Sequence, residues 1–86
     1  MNAESVKPVV KEYILREFLP GEDPDALKDD TEMFTQGILD SLASLKLVSF
    51  LEERFGVMIE AHEVDAEYLD SLNSIAALVL SKKATV

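Results

Sequence analysis

The chain has no cysteine among its 86 residues. No disulfide framework, thiolate metal site or cysteine nucleophile can therefore be built, and any thiol chemistry has to be imported. Long apolar runs are missing too. No segment approaches the roughly 18 consecutive apolar residues of a membrane span, and residues 1–7 contain Glu4 and no apolar stretch that reads as a leader. A cytoplasmic protein is the expectation. Positive charge is scarce: Lys and Arg total 8 against 17 Asp and Glu, for a formal charge of −9. Such a surface repels phosphate backbones and anionic lipid, which excludes nucleic acid and membrane partners. It suits encounter with basic patches on proteins, although acidic residues also simply keep a small domain soluble.

Length is also limited. A chain of this size buries only about 60% of the surface its unfolded form exposes, so one domain, residues 1–86, and a monomer are expected. A shaped pocket with converging catalytic groups is hard to build on so thin a core. A surface that other proteins recognise is easier, which argues against an enzyme.

Glycine and proline are few, 3 of each, and their positions divide the chain. From residue 5 to about 18, Val6, Val9, Val10, Tyr13, Ile14 and Phe18 follow the spacing of an amphipathic helix, with Ser5 as N-cap and Pro8 in the first turn. Pro20, Gly21 and Pro24 end it. A long loop then runs to about Asp40, and Leu27, Met33, Phe34, Ile38 and Leu39 are expected to pin it across the helices. Residues 41–55 predict the main helix, stopped by Gly56, with Leu47, Val48, Leu51 and Phe55 on its core face and Phe50 at the flank. A short helix is expected at 61–68. A last one follows Ser71 as N-cap, burying Leu72, Ile75, Leu78 and Val79, with Lys82 and Lys83 at its dipole-favoured end. The fold class is all-α: three main helices and one short helix, with a long loop between the first and second.

Leu42 and Leu45 fall opposite that core face, beside Ser49 and Glu52, so two leucines point to water where the main helix begins. Single surface leucines need no explanation; two beside a serine at a helix N-terminus suggest a docking patch. Either Asp40 or Ser41 can cap this helix, and whichever does not is free for chemistry. The unpaired N–H groups and positive dipole end there favour an attached phosphate ester.

The stretch Gly37-Ile38-Leu39-Asp40-Ser41-Leu42, with Leu47-Val48, Leu51-Glu52-Glu53 and Phe55, resembles the acyl carrier and peptidyl carrier protein superfamily. That family's signature is an Asp-Ser-Leu or Asp-Ser-Met triplet opening the second helix of a four-helix bundle. The likeness extends from Asp30-Thr31 and Phe34 to Ile75 and Leu78. It implies a phosphodiester between the Ser41 hydroxyl and 4′-phosphopantetheine, donated by coenzyme A through a phosphopantetheinyl transferase. It further implies an acyl or aminoacyl cargo held as a thioester, a loading enzyme, and downstream biosynthetic enzymes. Asp40 and Leu42 would guide the transferase, with Leu45, Lys46, Ser49, Glu52 and Glu53 extending the recognition helix.

Fatty-acid-synthesis carriers place acidic residues where this chain has Ala43 and Lys46, and have one residue fewer between the glycine and the aspartate. The spacing here is more similar to D-alanyl carrier proteins of cell-envelope modification and to discrete carriers of polyketide, nonribosomal peptide and related secondary metabolism. A protein-interaction module without a prosthetic group is the rival reading. A hydrolase built on Ser41 and His62 lacks the Gly-x-Ser-x-Gly elbow, and His62 beside Glu63 reads as a solvated surface histidine. Among the acidic residues Glu22, Asp23, Asp25, Asp29 and Asp30, Pro24, Leu27 and the missing mid-loop glycine spoil the EF-hand pattern, so no metal site is expected.

Overall fold

The computed structural model describes residues 2–84; of the expected domain, Met1, Thr85 and Val86 lie outside them. Four helices, α1 (Ala3–Phe18), α2 (Ser41–Phe55), α3 (Ala66–Leu69) and α4 (Leu72–Ala84), build an all-α bundle, with no strand among the described residues.

Helix α1 begins two residues before the expected start. Asn2 is its cap: the Asn2 side-chain oxygen accepts from the backbone N–H of Ser5 at 3.0 Å and from the Ser5 hydroxyl at 3.2 Å. Ser5, expected as the cap, is therefore a donor to it. Pro8 consequently lies inside the helix and not in its first turn. The proline has no N–H to give the carbonyl of Glu4, four residues back, but Glu4 is exposed and water can serve that oxygen. Val6, Val10, Tyr13 and Ile14 form the buried stripe.

The long loop is pinned largely as its apolar residues suggest. Leu27, Met33 and Leu39 are buried, while Phe34 and Ile38 are half-buried. Backbone polar groups complete the attachment. Asp70 accepts from Met33 N–H through its carbonyl at 2.7 Å and from Phe34 N–H through its carboxylate at 2.9 Å. Asp29 takes the N–H of Asn73 at 3.0 Å and pairs with Lys7 at 3.3 Å. The two bonds from Asp70 satisfy the N–H groups of Met33 and Phe34, which burial of these residues would otherwise strand.

Helix α2 ends at Gly56, whose φ of 68° is the left-handed conformation a glycine adopts without steric cost. Its core face buries Ala43, Ser44, Leu47, Val48, Leu51 and Phe55. Tyr13 of α1 stacks on Phe50 with ring centroids 4.0 Å apart and donates its hydroxyl to the Lys46 carbonyl at 3.2 Å, locking α1 against α2.

The expected helix over 61–68 is interrupted. Ala61–Glu63 form a single 3₁₀ turn closed by a reciprocal cap between Glu60 and Glu63. Val64 then leaves helical geometry at ψ 68°. Asp65 starts α3 afresh, its carboxylate accepting from Glu67 N–H at 2.9 Å. Two caps five residues apart, Glu60 and Asp65, break what apolar spacing alone reads as one helix. Ser71 caps α4 as expected, taking the N–H of Ser74 at 3.1 Å, and Leu72, Ile75, Leu78 and Val79 are buried.

Candidate functional site

The start of α2 resolves which of two adjacent residues is the cap. The Asp40 side-chain oxygen accepts from Ala43 N–H at 2.8 Å, and the Asp40 carbonyl takes the N–H of Ser44 at 2.8 Å. Asp40 has the extended backbone of a cap. Ser41 is thus the first helical residue, exposed, and its hydroxyl has no hydrogen-bond partner among the described residues. Nearby Ser44 differs in every respect: it is 3% exposed and its hydroxyl is spent on the Ser41 carbonyl at 2.8 Å. Of the two serines in this turn, only Ser41 can be reached from solvent.

The first turn of α2 contains no acidic residue. Beyond the Asp40 carboxylate, nothing there offsets the helix's positive end, where a phosphate attached to the first residue is stabilised by backbone N–H groups and dipole together. A groove of about 540 Å³ opens beside Ser41, lined by Phe34, Ser44, Leu45, Ala61, Val64 and Asp65. An exposed hydroxyl, the favourable field and the space for a flexible arm therefore coincide, and a phosphopantetheine group fits the residues present.

A comparison with protein families matches residues 14–79 to the family described as "Phosphopantetheine attachment site". This chain belongs to that family. It is a phosphopantetheine-dependent carrier protein, holding an acyl or aminoacyl group as a thioester for partner enzymes. Among its relatives, the "D-alanyl carrier protein" of Lactococcus lactis subsp. lactis is 39% identical over 54 residues, 63% of this chain and 68% of that protein. The "Probable acyl carrier protein PigG" of Serratia sp. is 36% identical over 72 residues, 84% of this chain and 82% of that protein. A chain in the structure titled "Crystal structure of FAD-dependent dehydrogenase" superposes with a TM-score of 0.73 at 31% identity. That match covers 81% of the carrier and 97% of the other chain, so the chain matched is itself carrier-sized.

The other residues suggested for recognition divide into two groups. Leu42 and Leu45 stand 64% and 57% exposed, and Lys46, Ser49 and Glu53 are exposed as well. Glu52 is not free in the same way. It is half-buried, and its carboxylate accepts from Ile59 N–H at 3.0 Å, tying the segment after α2 back onto the helix.

Several neighbours of the site had no signature in the sequence. Phe34, Ala61, Val64 and Asp65 come from two separate irregular segments, and no periodicity assigns such residues to a common groove. Glu63 is a similar case. It is buried at 8% exposure, accepting from Lys82 at 2.6 Å and from Glu60 N–H at 2.9 Å. The Lys82 hydrogen bond, followed by the Glu60 backbone bond, holds its carboxyl below the ordinary carboxylate range. Lys82 thus does more than complement the α4 dipole: it anchors the segment that walls the groove. His62 is exposed and faces Glu60 at 3.4 Å. Donor atoms of Glu60, His62 and Glu63 lie within 4.8 Å of one another, but the Lys82 ammonium against Glu63 opposes a cation there. Tyr13, buried while donating to α2, has its pKa raised chiefly by that burial, which keeps the hydroxyl a donor.

No helix among the described residues is long and apolar enough to cross a membrane.

Proposed function

We propose that Ser41 is the attachment point of the phosphopantetheine arm and that the carrier works, as a cytoplasmic monomer, in polyketide, nonribosomal peptide or related secondary metabolism. The observation that supports Ser41 most directly is its exposed, unpartnered hydroxyl at the first position of α2, with the capping duty held by Asp40. When bound, the arm supplies the thiol that this cysteine-free chain lacks.

The chain's own residues prepare the site for attachment. Asp40 orders the first turn of α2, fixing the direction in which the Ser41 hydroxyl projects. Ser44, bonded to the Ser41 carbonyl, leaves no competing nucleophile in that turn. Leu42, Leu45, Lys46, Ser49 and Glu53 offer the side chains a partner touches. Asp40 and Glu52 act on recognition through the backbone that they hold. The base that activates the hydroxyl belongs to the transferase. The loading enzyme and the downstream biosynthetic enzymes then act on a substrate whose local concentration is set by tethering, not by free diffusion. A small contact patch keeps each docking brief enough for exchange.

The carrier-sized chain in a structure titled for an FAD-dependent dehydrogenase supports a flavin dehydrogenase as one class of downstream partner. A second reading, D-alanyl transfer in cell-envelope modification, is favoured by the D-alanyl carrier relatives and by the Gly37-Ile38-Leu39-Asp40 spacing.

The test is mass spectrometry after incubation with coenzyme A and a broad-specificity phosphopantetheinyl transferase. Wild type should gain the mass of one arm and Ser41→Ala none. An unmodified wild type would return the chain to the rival reading, an interaction module without a prosthetic group. Charging of the arm-bearing protein by an amino-acid-activating loading enzyme would then separate the two pathways: selective charging with D-alanine favours the second.

A further inference from the structure

Among the described residues, Glu63 is the one charged side chain that the fold buries. Burying a carboxylate is costly unless it is paired and hydrogen-bonded, and here a single atom meets both conditions. Glu63 Oε1 accepts from the Lys82 ammonium at 2.6 Å and from the Glu60 N–H at 2.9 Å. Stability alone does not account for such a pair. Two apolar side chains of similar volume are often as stable or more so, whereas an ion pair closes only when its two elements meet in one geometry.

The two elements that meet here are unequal. Lys82 stands on α4, a helix that Leu72, Ile75, Ala76, Leu78 and Val79 bury in the core. Glu63 stands in residues 60–65, the stretch that contributes Ala61, Val64 and Asp65 to the groove beside Ser41. Both flanks of this stretch are fixed. Ile59, itself buried, bonds Glu52 through its N–H at 3.0 Å, and Leu69 on the other side is fully buried. Between them the core takes little: Glu60, Ala61, His62 and Asp65 are exposed, Val64 is half-buried, and Glu63 is the buried side chain of the stretch. The groove wall is therefore held to the bundle chiefly by an ionic contact with α4, and a segment with so few buried apolar contacts opens readily once that contact is lost.

We propose that the Glu63–Lys82 pair positions the groove wall for the arm: with the pair closed, the groove holds the arm against the protein, and with the pair broken the arm is released to solvent. The inference rests on Ser41 being the attachment point. Neither Glu63 nor Lys82 lines the groove, so both are positioning residues that act through their neighbours Ala61 and Val64. The geminal methyl groups of a pantetheine arm match the apolar lining that Phe34, Leu45, Ala61 and Val64 provide. A wall that shifts outward leaves those methyl groups without partner atoms on one side, and the groove-bound population falls. The pair thereby sets how much of the time the arm is available to a partner enzyme.

The experiment compares NMR spectra before and after arm attachment from coenzyme A by a broad-specificity transferase, for wild type, Lys82→Arg, Lys82→Met and the double variant Glu63→Gln with Lys82→Met. The double variant buries no charge and keeps an oxygen for the Glu60 N–H, so it should stay folded even where Lys82→Met alone does not. In wild type, attachment should shift the amides of Phe34, Ala61 and Val64 and give cross-peaks between the arm's geminal methyl groups and Val64. Lys82→Arg, which can still pair, should keep both signals. Lys82→Met and the double variant should lose both, while the core amides of Val10 and Leu47 stay as in wild type. A merely structural role for the pair would lower stability and leave the arm-induced signals in place. Retention of both signals in the double variant, their loss in Lys82→Arg, or their absence from arm-bearing wild type overturns this inference alone. A wild type that accepts no arm, or a Ser41→Ala protein that accepts one, overturns the Ser41 assignment and this inference with it.

Discussion

Replacing Asp40 and Ser41 one at a time separates two residues that a sequence reader treats as interchangeable. Asp40→Ala removes the oxygen that accepts from Ala43 N–H at 2.8 Å. Losing such a cap costs about 0.5–2 kcal/mol, typically near 1. For a domain of this size, about 1 kcal/mol lowers Tm by roughly 4–8 °C. Ser41→Ala removes a hydroxyl without a partner and, like other surface substitutions, should stay within about 0.5 kcal/mol of wild type. Asp40→Asn keeps a capping oxygen and gives up only the interaction of the charge with the helix dipole, about 0.3–1 kcal/mol at a surface. Urea titrations followed by circular dichroism should therefore rank the variants with Ser41→Ala nearest wild type, Asp40→Asn next, and Asp40→Ala lowest. The ranking carries over to chemistry: in Asp40→Ala the Ser41 hydroxyl becomes the nearest substitute cap, and transfer of the arm should slow while the variant remains folded. If Ser41→Ala costs as much as Asp40→Ala, the capping assignment is wrong, and with it the argument that leaves Ser41 free.

Two further outcomes follow from the segment that walls the groove. The carboxyl of Glu63 titrates below its ordinary value of 4.5, so its contribution is fully present above that pH and is lost as pH falls through the folded-state value. Glu63→Gln should therefore lower stability at neutral pH while flattening the acid limb of the stability profile; a variant whose acid limb matches wild type would count against the Lys82 pair as its cause. Glu52→Ala should destabilise by about 1–3 kcal/mol, because the half-buried N–H of Ile59 loses its acceptor, whereas Glu52→Gln retains a carbonyl and should lose less; amide exchange at Ile59 reports the difference directly.

Much of the architecture was legible in local pattern. The stripe of Leu47, Val48, Leu51 and Phe55, Gly56 at the helix end, and Ser71 ahead of Leu72 each express a short-range rule of period or capping, and each lies as expected. The errors arose where one local rule competed with another. Asn2 displaced Ser5 as the cap of α1, and the caps around Glu60, Glu63 and Asp65 split the segment read as a single helix.

By itself the sequence determined that the molecule is helical, acidic and without a thiol of its own, and that a serine opens its main helix, because these depend on composition and on residues within a few positions of one another. Only the tertiary structure decided that Asp40 caps and Ser41 does not, since both satisfy the same local rule and the outcome rests on the backbone each adopts. It also decided that Asp70 holds the long loop, that Lys82 of α4 binds Glu63, and that Phe34 and Val64 meet beside Ser41. Those contacts join residues far apart along the chain, and no periodicity of the backbone encodes which distant groups will meet.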